Sequence, residues 1–318
     1  MAIKIVTFRY LNINMKTKPS VSVVVPTYNY ARFLDEAIES VLTQSYQDFE
    51  LIIVDDNSQD DTDEVVQKYL SNPKVSYYKN EANLGVAGNF SQCLKYVNGK
   101  LIKYLNSDDK FHPLLLEKFV AVIDQYPNVS LVISNQEIFG DQTGIFDLPF
   151  TGLQPGKKIM EEILKSYNWI GGPTSVMLRS SNLHLGGFRE KFNWMTDMDM
   201  WLRHLAVGDC YILPERLVGY RVHSAQGTVN VTKDFSARFE EYEIYRDILE
   251  NNLYGLQFMK GDLNRIKKIK AASCASIVYK MLPKLGNKKS RSLFKKAWSI
   301  ASREKVLLDP FLGKFKTR

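Results

Sequence analysis

Two adjacent carboxylates, Asp108 and Asp109, follow a short apolar segment in the stretch KYLNSDDK, residues 103–110. Paired acids at the end of a buried strand repel each other and lose hydration, so they need a partner. A divalent cation suits them, because Mg²⁺ and Mn²⁺ prefer carboxylate oxygens and often bind through one or two carboxylates plus phosphate oxygens. Such pairs also occur as solvated turns, and the residues alone leave both interpretations open.

Polar residues also follow two earlier apolar segments. Pro26-Thr27-Tyr28-Asn29 follows VSVVV, and Asp55-Asp56-Asn57-Ser58 follows FELIIV. The carboxylate of Asp56 could accept the N3–H of a uracil or thymine ring, and Tyr28 could pack on the base. The same acidic tetrapeptide could instead form an Asx turn that caps the next helix. The sequence has neither a GxGxxG after the first strand nor a GxxxxGK[ST], so dinucleotide and P-loop sites are not indicated.

A third acidic site and a histidine lie further along the chain. Asp197 and Asp199 in NWMTDMDMW are two residues apart and point in different directions on a helix. One could face a cleft, or both could simply favour the positive end of the helix dipole. His223 in YRVHSAQGT follows a strand-like run, and beside a metal it becomes a candidate ligand or phosphate contact.

These residues are positioned by an alternation of strands and helices that continues to about residue 135. The pattern predicts an α/β fold with an open, mostly parallel sheet flanked by helices, which binds ligands at the carboxyl ends of its strands. After a loop at 140–158, it predicts a helix, a strand and a short helix. A helix at 196–208 and two short strands within 211–223 follow. The predicted strands before the loop are 21–26, 49–58, 75–79, 100–105 and 129–134.

The composition is that of a folded chain with room for a sizeable core. Of 318 residues, 45% are hydrophobic and 24% are charged, which argues against global disorder. The three cysteines are widely spaced, which argues against a disulfide framework or zinc site and fits a reducing cytosol. We expect residues 1–20 to be a leader, and we predict neither a signal peptide nor a membrane-spanning helix.

Charge is distributed unevenly along the chain. Residues 251–318 contain 17 Lys and Arg against 3 Asp and Glu, a net charge of +14, whereas residues 1–250 carry −7. The helical pattern at 234–305 could lie on an anionic membrane surface, or could pack on the body with its lysines in water. We expect no nucleic acid, because no zinc, RRM or helix-turn-helix signature is present.

The ordered motifs over about 21–225 resemble those of family 2 glycosyltransferases with the GT-A fold. They are VSVVVPTYN, LIIVDDNSQDDT, NLGVAGNF, YLNSDD, GGF, TDMDMWLR and YRVH. The resemblance implies inverting transfer of a sugar from a nucleotide-diphospho-sugar, with a UDP-sugar favoured, using Mn²⁺ or Mg²⁺. It implies a glycan or lipid-linked glycan acceptor in cell-surface polysaccharide synthesis. The protein would be cytoplasmic, or peripheral on the inner face of the cell membrane.

The resemblance also assigns roles to individual residues. Asp197 would be the general base. Asp108, Asp109 and His223 would hold the metal. The donor would be bound by Pro26, Thr27, Tyr28, Asn29, Asp56, Asn83, Gly85, Asn106, Ser107 and Asp108. The acceptor side would include Gly172, Trp194, Thr196 and Asp199. Trp194 could stack on a sugar face, although a buried Trp is the commoner outcome.

Two positions depart from the family pattern. Asn106 replaces the first acid of the DxD motif; it can still bind a ribose hydroxyl, but it brings no charge to a metal. Thr196 replaces the acid before the base, which affects acceptor contacts. The resemblance predicts a domain at 21–230, divided into a nucleotide-sugar half (21–135) and an acceptor half (136–230), followed by a helical region at 231–318. A non-catalytic nucleotide-sugar-binding scaffold is the alternative, although the intact acids favour an enzyme.

Overall fold

A computed structural model of the protein describes residues 18–226, 235–256 and 259–308. Most of the predicted leader, residues 1–17, lies outside the described residues. The predicted fold class is confirmed, since a single mixed sheet is flanked by helices on both faces. The domain boundaries drawn from the sequence stay a prediction.

Ten strands form the sheet of the described residues, in the order β3-β2-β1-β4-β9-β6-β10-β5, with β7 on β6 and β8 on β10. Strands β3, β2, β1 and β4 are parallel, and so are β6 and β10; β9 is antiparallel to both β4 and β6. Six strands therefore run in the same direction: β1, β2, β3, β4, β6 and β10. The strands are β1 Val21–Thr27, β2 Phe49–Asp55, β3 Val75–Lys79, β4 Leu101–Tyr104, β5 Lys110–Phe111, β6 Val129–Gly140, β7 Gly144–Phe146, β8 Gly152–Gln154, β9 Val176–Arg179 and β10 Asp209–Val222.

Helices cover both faces of this sheet. Alternate residues of one strand enter different cores: Val24 of β1 belongs to one hydrophobic cluster, and Val23 and Val25 belong to the other. This two-sided burial explains why the strands are continuous apolar runs. The helices are α1 Ala31–Leu42, α2 Thr62–Gln67, α3 Gly85–Cys93, α4 Leu115–Gln125, α5 Gly156–Lys165, α6 Thr196–Leu205, α7 Ser236–Glu250, α8 Lys260–Met281 and α9 Lys288–Arg303.

The structure differs from the sequence prediction after residue 140. A single long strand, β10, replaces the two predicted short strands, because its ladder with β6 continues past Pro214 through register shifts. Proline has no backbone N–H to donate to a neighbouring strand, so a proline within a sequence pattern usually indicates the end of a strand. The predicted loop 140–158 contains β7, β8 and the start of α5, and the strand predicted at 174–178 is β9, preceded by a 3-10 turn.

Helix α7 joins the C-terminal helices to the body. Its Ile244, Tyr245 and Ile248 enter the cluster that also contains the sheet residue Val24. Its Phe239 and Tyr242 belong to a third cluster made with α8 and α9. Among the residues described, we find no helix long and apolar enough to cross a membrane.

Candidate active site

The carboxyl ends of β1, β2 and β4 meet at one edge of the sheet. Thr27 lies opposite Asp55 in the β1–β2 ladder, and Val24 lies opposite Tyr104 in the β1–β4 ladder. The three polar segments that follow these strands are thereby gathered along the same edge, as predicted from the strand pattern.

Asp108 and Asp109 have different environments although they are adjacent. The Asp108 side chain is 14% exposed, and its Oδ2 lies 3.1 Å from Nε2 of His223. Asp109 is 1% exposed and accepts hydrogen bonds from the Thr174 hydroxyl (2.6 Å), the Asn106 amide (3.1 Å) and the Arg221 N–H (2.9 Å). The structure brings Asp108 and His223 together as a pair and places Asp109 behind them.

The protein itself lessens the conflict between these two acids. Burial, reinforced by the neighbouring Asp108 carboxylate, raises the pKa of Asp109 to about 7, and its three hydrogen bonds oppose that rise. Behind it lies Lys103, fully buried, whose Nζ donates to the Thr174 and Val176 carbonyls. Burial lowers the pKa of Lys103 well below its usual range. Hydrogen bonds from the protein and the raised pKa of Asp109 therefore lessen the repulsion between the two acids, beside the cation and diphosphate expected from the sequence.

His223 is held in place by its neighbours. Its ring lies 4.6 Å from the ring of Phe33 and 5.5 Å from that of Tyr30, measured between centroids. Its Nδ1 is 3.4 Å from the Arg32 guanidinium. Arg221, in β10 two residues before His223, donates from Nε to the Asp108 backbone carbonyl at 2.7 Å. These contacts fix the imidazole against Asp108 from the β10 side.

Asp56 is buried at the N-terminus of α3. Its Oδ1 accepts from Asn80 Nδ2 (2.9 Å) and Leu84 N–H (2.8 Å), and its Oδ2 accepts from Gly85 N–H (2.9 Å). Gly85 has φ +74°, a left-handed value that suits glycine. Asn83 donates to the Asp56 carbonyl at 3.1 Å. Asp55, not Asp56, accepts from Ser58 N–H in an Asx turn (2.9 Å), and the helix that Asp56 binds is α3 rather than the next helix, α2. Asp56 Oδ2 keeps acceptor capacity for a base N–H.

Two buried oxygens of the predicted donor site have no hydrogen-bond partner in the part of the chain that the structure describes. They are Oγ1 of Thr27 and Oδ1 of Asn106. A buried polar atom left unpaired costs free energy, so such atoms are candidates for contacts with a bound ligand. Gly172 lies beside Asn106, since a Cβ built on it would be 3.8 Å from the Asn106 amide nitrogen.

The remaining predicted donor residues lie along the same edge. Tyr28 is 43% exposed, which leaves its ring accessible, whereas Pro26 and Ser107 are buried. Asn29 adopts φ +55°; its N–H donates to Ser58 Oγ (2.9 Å), and its side chain accepts from Gln59 N–H (2.8 Å). Asn29 therefore fastens the turn after β1 to the turn after β2.

Asp197 and Asp199 diverge on α6, as their spacing predicts. Asp199 is fully buried and accepts hydrogen bonds from Arg189, Arg203 (3.1 Å) and Tyr254 (2.8 Å). Asp197 is only partly buried and accepts from Met198 N–H at 2.6 Å. Burial raises the pKa of Asp197 to about 7, with a smaller contribution from the Glu240 carboxylate. A carboxylate with such a pKa suits a general base at neutral pH.

The other acceptor-side residues lie around the start of α6. Trp194 is partly buried and donates from its indole to Ser236 Oγ at 2.6 Å, while Thr196 is buried. Trp201 donates to the Gly171 carbonyl at 3.0 Å, which connects α6 to the turn that borders Asn106. The structure thus connects α6, which carries Asp197, to the turn at 171–172 beside Asn106.

Three residues outside the predicted donor, metal and base sets organise this site. Thr174 binds both the Asp109 carboxylate and the backbone of Asn106. Arg221 donates to the Asp109 carboxylate and to the Asp108 backbone carbonyl, and Glu240 accepts from two backbone N–H groups just before α6. Arg221 lies within the quoted YRVH motif, which could have indicated it. Glu240 lies 43 residues beyond Asp197, in a helix whose sequence carries no motif.

A divalent metal fits the residues present, although they do not supply a complete coordination shell. Across residues 18–226, 235–256 and 259–308, no three His, Cys, Asp or Glu side chains converge as a metal site. Asp108 and His223 offer one oxygen and one nitrogen. Mg²⁺ and Mn²⁺ sites that serve phosphate substrates commonly rely on few protein ligands, with phosphate and water completing the shell. Asp109 is turned inward, and its metal role stays a prediction.

Sequence comparison finds glycosyltransferases among the relatives of this chain. The model of the glycosyl transferase family 2 matches residues 22–185. A putative glycosyltransferase of Bacillus subtilis, EpsE, is 31% identical and the alignment covers 74% of this chain and 82% of EpsE. An uncharacterized glycosyltransferase of Rickettsia typhi is 30% identical, with 71% of this chain and 70% of that protein covered.

Solved structures agree on the fold. TarS 1–349 of S. aureus in complex with UDP-GlcNAc matches with a TM-score of 0.66 and 18% identity, over 92% of this chain and 86% of that one. A mannosyltransferase of Pyrobaculum calidifontis with GDP-Man and Mn²⁺ gives 0.56 and 15%, over 92% and 88%. The fold and the matches define a glycosyltransferase of the GT-A fold. The chain belongs to glycosyl transferase family 2.

Proposed function

We propose that this enzyme is an inverting, metal-dependent transferase that moves a sugar from a nucleotide-diphospho-sugar to a hydroxyl of a glycan or lipid-linked glycan. The observation that carries the proposal is the Asp108–His223 pair at the sheet edge. There the buried, unpartnered oxygens of Thr27 and Asn106 also lie. Such an edge suits a ligand that brings a metal-bound diphosphate together with hydroxyl or N–H donors.

The donor would lie across the turns that follow β1, β2 and β4. Tyr28 would stack on the base, Asp56 Oδ2 would accept its N–H, and Asn106 Oδ1 would accept from a ribose hydroxyl. We favour a UDP-sugar, because a pyrimidine N3–H matches the acceptor on Asp56, and because TarS was solved with UDP-GlcNAc. Asp108 and His223 would hold Mn²⁺ or Mg²⁺, which when bound neutralises charge developing on the diphosphate.

Asp197 would supply the general base. Its carboxylate takes the proton of the acceptor hydroxyl while the hydroxyl oxygen attacks C1 of the donor sugar. The C1–oxygen bond to the diphosphate breaks at the same time, and the bonding electrons leave with the nucleoside diphosphate. Attack from the face opposite the leaving group inverts the configuration at C1. The pKa of about 7 keeps much of the carboxylate ionised at neutral pH while leaving it basic enough to accept the proton.

A thermal-shift screen tests the proposed donor and metal together. UDP-, GDP- and dTDP-sugars would each be added with and without Mn²⁺. We expect one UDP-sugar to raise the Tm only when Mn²⁺ is present, because a ligand that binds only the folded state stabilises it. Equal shifts with and without metal would contradict the metal role. A rise in Tm without release of nucleoside diphosphate would favour the non-catalytic nucleotide-sugar-binding scaffold, and no rise with any donor would contradict the donor site itself.

We extend the proposal to an anionic membrane surface, which suits a lipid-linked acceptor in cell-surface polysaccharide synthesis at the cytoplasmic face. On α9, Arg291, Phe294, Lys295 and Trp298 have the i, i+3, i+4, i+7 spacing of one helix face. The rings of Phe294 and Trp298 stack at 5.8 Å, and Trp298 is 46% exposed. Exposed aromatic and basic side chains on one helix face are typical of interfacial helices.

Vesicle cosedimentation tests this surface. We expect binding to phosphatidylglycerol-containing vesicles at low salt and little binding to phosphatidylcholine alone. Trp298→Ala and Lys295→Glu should each weaken binding, whereas Tyr167→Ala, which removes a 63% exposed aromatic from outside the helical region, should not. Equal pelleting of all variants, or no pelleting of the wild type, would leave α9 as a cap on the body.

A further inference from the structure

The segment that leads into the helix carrying Asp197 is held by another helix, α7. The N-cap residue of α6 is Met195, whose side chain makes no capping hydrogen bond. Within the first turn, the Asp197 carboxylate itself accepts from Met198 N–H. The two N–H groups just before the helix find their acceptor on α7. Oε2 of Glu240 accepts from Trp194 N–H at 2.7 Å and from Met195 N–H at 3.1 Å. Glu240 is 6% exposed, so water cannot easily replace it.

A second side chain on the same face of α7 holds the same segment. Ser236 lies one helical turn before Glu240, and its hydroxyl accepts from the Trp194 indole at 2.6 Å. Farther along the chain, Asp247 pairs with Lys191, and the Tyr254 hydroxyl donates to Asp199. Helix α7 therefore contacts the segment just before Asp197, and Tyr254, four residues beyond the end of α7, contacts Asp199 just after it.

Glu240 also acts on Asp197 through its charge. Burial raises the pKa of Asp197, the N–H groups of Met198 and of Asp197 itself lower it, and the Glu240 carboxylate raises it. One side chain of α7 thus affects both the orientation and the basicity of the carboxylate. The family match ends at residue 185, so none of these residues falls within it.

We propose that Glu240 is a positioning residue for sugar transfer. By holding the N–H groups of Trp194 and Met195, it fixes the start of α6 so that the Asp197 carboxylate faces the acceptor hydroxyl. The C-terminal helical region is then part of the catalytic unit rather than an appendage. This inference rests on the proposed role of Asp197.

The test compares Glu240→Ala and Glu240→Gln with Glu243→Gln. Glu243 lies on the same helix and is also paired, but with Lys296 of α9 at 3.2 Å. In Glu240→Ala we expect kcat to fall at least tenfold while the donor KM changes less than twofold. Glu240→Gln keeps an amide oxygen as acceptor and should lose less. It also removes a negative charge near Asp197, so the acid limb of its kcat–pH profile should move to lower pH.

Hydrogen exchange supplies a readout that does not depend on turnover. Glu240→Ala should speed exchange in a peptide covering 193–197, and Glu243→Gln should leave it unchanged. Unchanged exchange in Glu240→Ala would overturn the proposal, and so would faster exchange with wild-type kcat and an unshifted pH profile. If the wild type transfers no sugar from any donor, the proposed function is wrong, and Glu240 has no positioning role in sugar transfer. The exchange result would still establish whether Glu240 holds this segment.

Discussion

Asp197→Asn is the substitution that most directly tests the proposed mechanism. The Asn amide cannot take the proton from the hydroxyl of the acceptor sugar, and general-base catalysis typically contributes about 10²–10⁴ in rate. We therefore expect kcat to fall by at least about a hundredfold. Donor affinity should be preserved, because the side-chain hydrogen bonds of Asp108, His223 and Asp56 within the described part of the chain do not involve Asp197.

The pH dependence of the transfer rate is a second, independent test of Asp197 as the base. With a pKa of about 7, roughly half of the Asp197 carboxyl is ionised at pH 7 and about a tenth at pH 6. The wild-type rate should therefore rise about fivefold between pH 6 and 7 and level off above pH 8. Release of nucleoside diphosphate at saturating donor, measured between pH 5.5 and 8.5, follows this rise.

Asp109 could also produce a rise in the pH–rate profile, because burial raises its pKa to about 7 as well. The Asp197→Asn variant distinguishes the contributions of Asp197 and Asp109. In Asp197→Asn, the residual transfer should lose the rise near pH 7, whereas a rise that persists belongs to Asp109. A wild-type rate that stays flat from pH 5.5 to 8, or an Asp197→Asn variant within threefold of the wild type, would refute Asp197 as the base.

Three further substitutions test the surroundings of the site. Asp108→Asn should abolish the Mn²⁺-dependent part of the donor-induced rise in Tm, because it removes the charged partner of His223; an unchanged metal-dependent rise would move the ligand role elsewhere. Thr27→Val keeps the shape of the side chain and removes an unpaired hydroxyl, so the ligand-free Tm should hold while the donor Kd, by titration calorimetry, weakens about 2–10-fold. Asp199→Asn leaves Arg203 without its buried partner and should lower the free energy of unfolding in urea by about 3–5 kcal/mol; a loss below about 1 kcal/mol would contradict this.

The alternation of strands and helices up to residue 135 could be predicted from the sequence, because continuous apolar strands and amphipathic helices are local patterns. Val23 and Val24 are both buried on opposite faces of the sheet, which the run VSVVVP already indicates. The order of the later strands could not be predicted. Strand β9 inserts antiparallel between β4 and β6, a pairing between residues about 75 and 45 positions apart.

The candidate site was only partly predictable for the same reason. The positions of Thr27, Asp56 and Asp108 at one sheet edge follow from parallel strand ends. The pairing of Asp108 with His223 depends on β10, more than a hundred residues later. The acceptor for the N–H groups just before α6 is Glu240, and nothing near Asp197 in the sequence indicates that a carboxylate so far along the chain binds this segment.

The two acidic pairs show how one local motif can serve two purposes. Asp108 and Asp109 are adjacent after a strand, and Asp197 and Asp199 are two apart on a helix, so in each pair the side chains diverge. In each pair one acid is buried and hydrogen-bonded by the protein: Asp109 by Thr174 and Arg221, and Asp199 by its two arginines.

The other acid of each pair, Asp108 or Asp197, is the one proposed to contact a ligand. Asp108 lies beside the imidazole of His223, and Asp197 accepts from the backbone N–H of Met198. The inward acids hold the turn and the helix that present the outward ones, so replacing an inward acid should lower stability first, and replacing an outward acid should lower activity first. The two classes of substitution are therefore expected to separate in paired measurements of Tm and transfer rate. An Asp197→Asn variant that lost more stability than Asp199→Asn would contradict this division of roles.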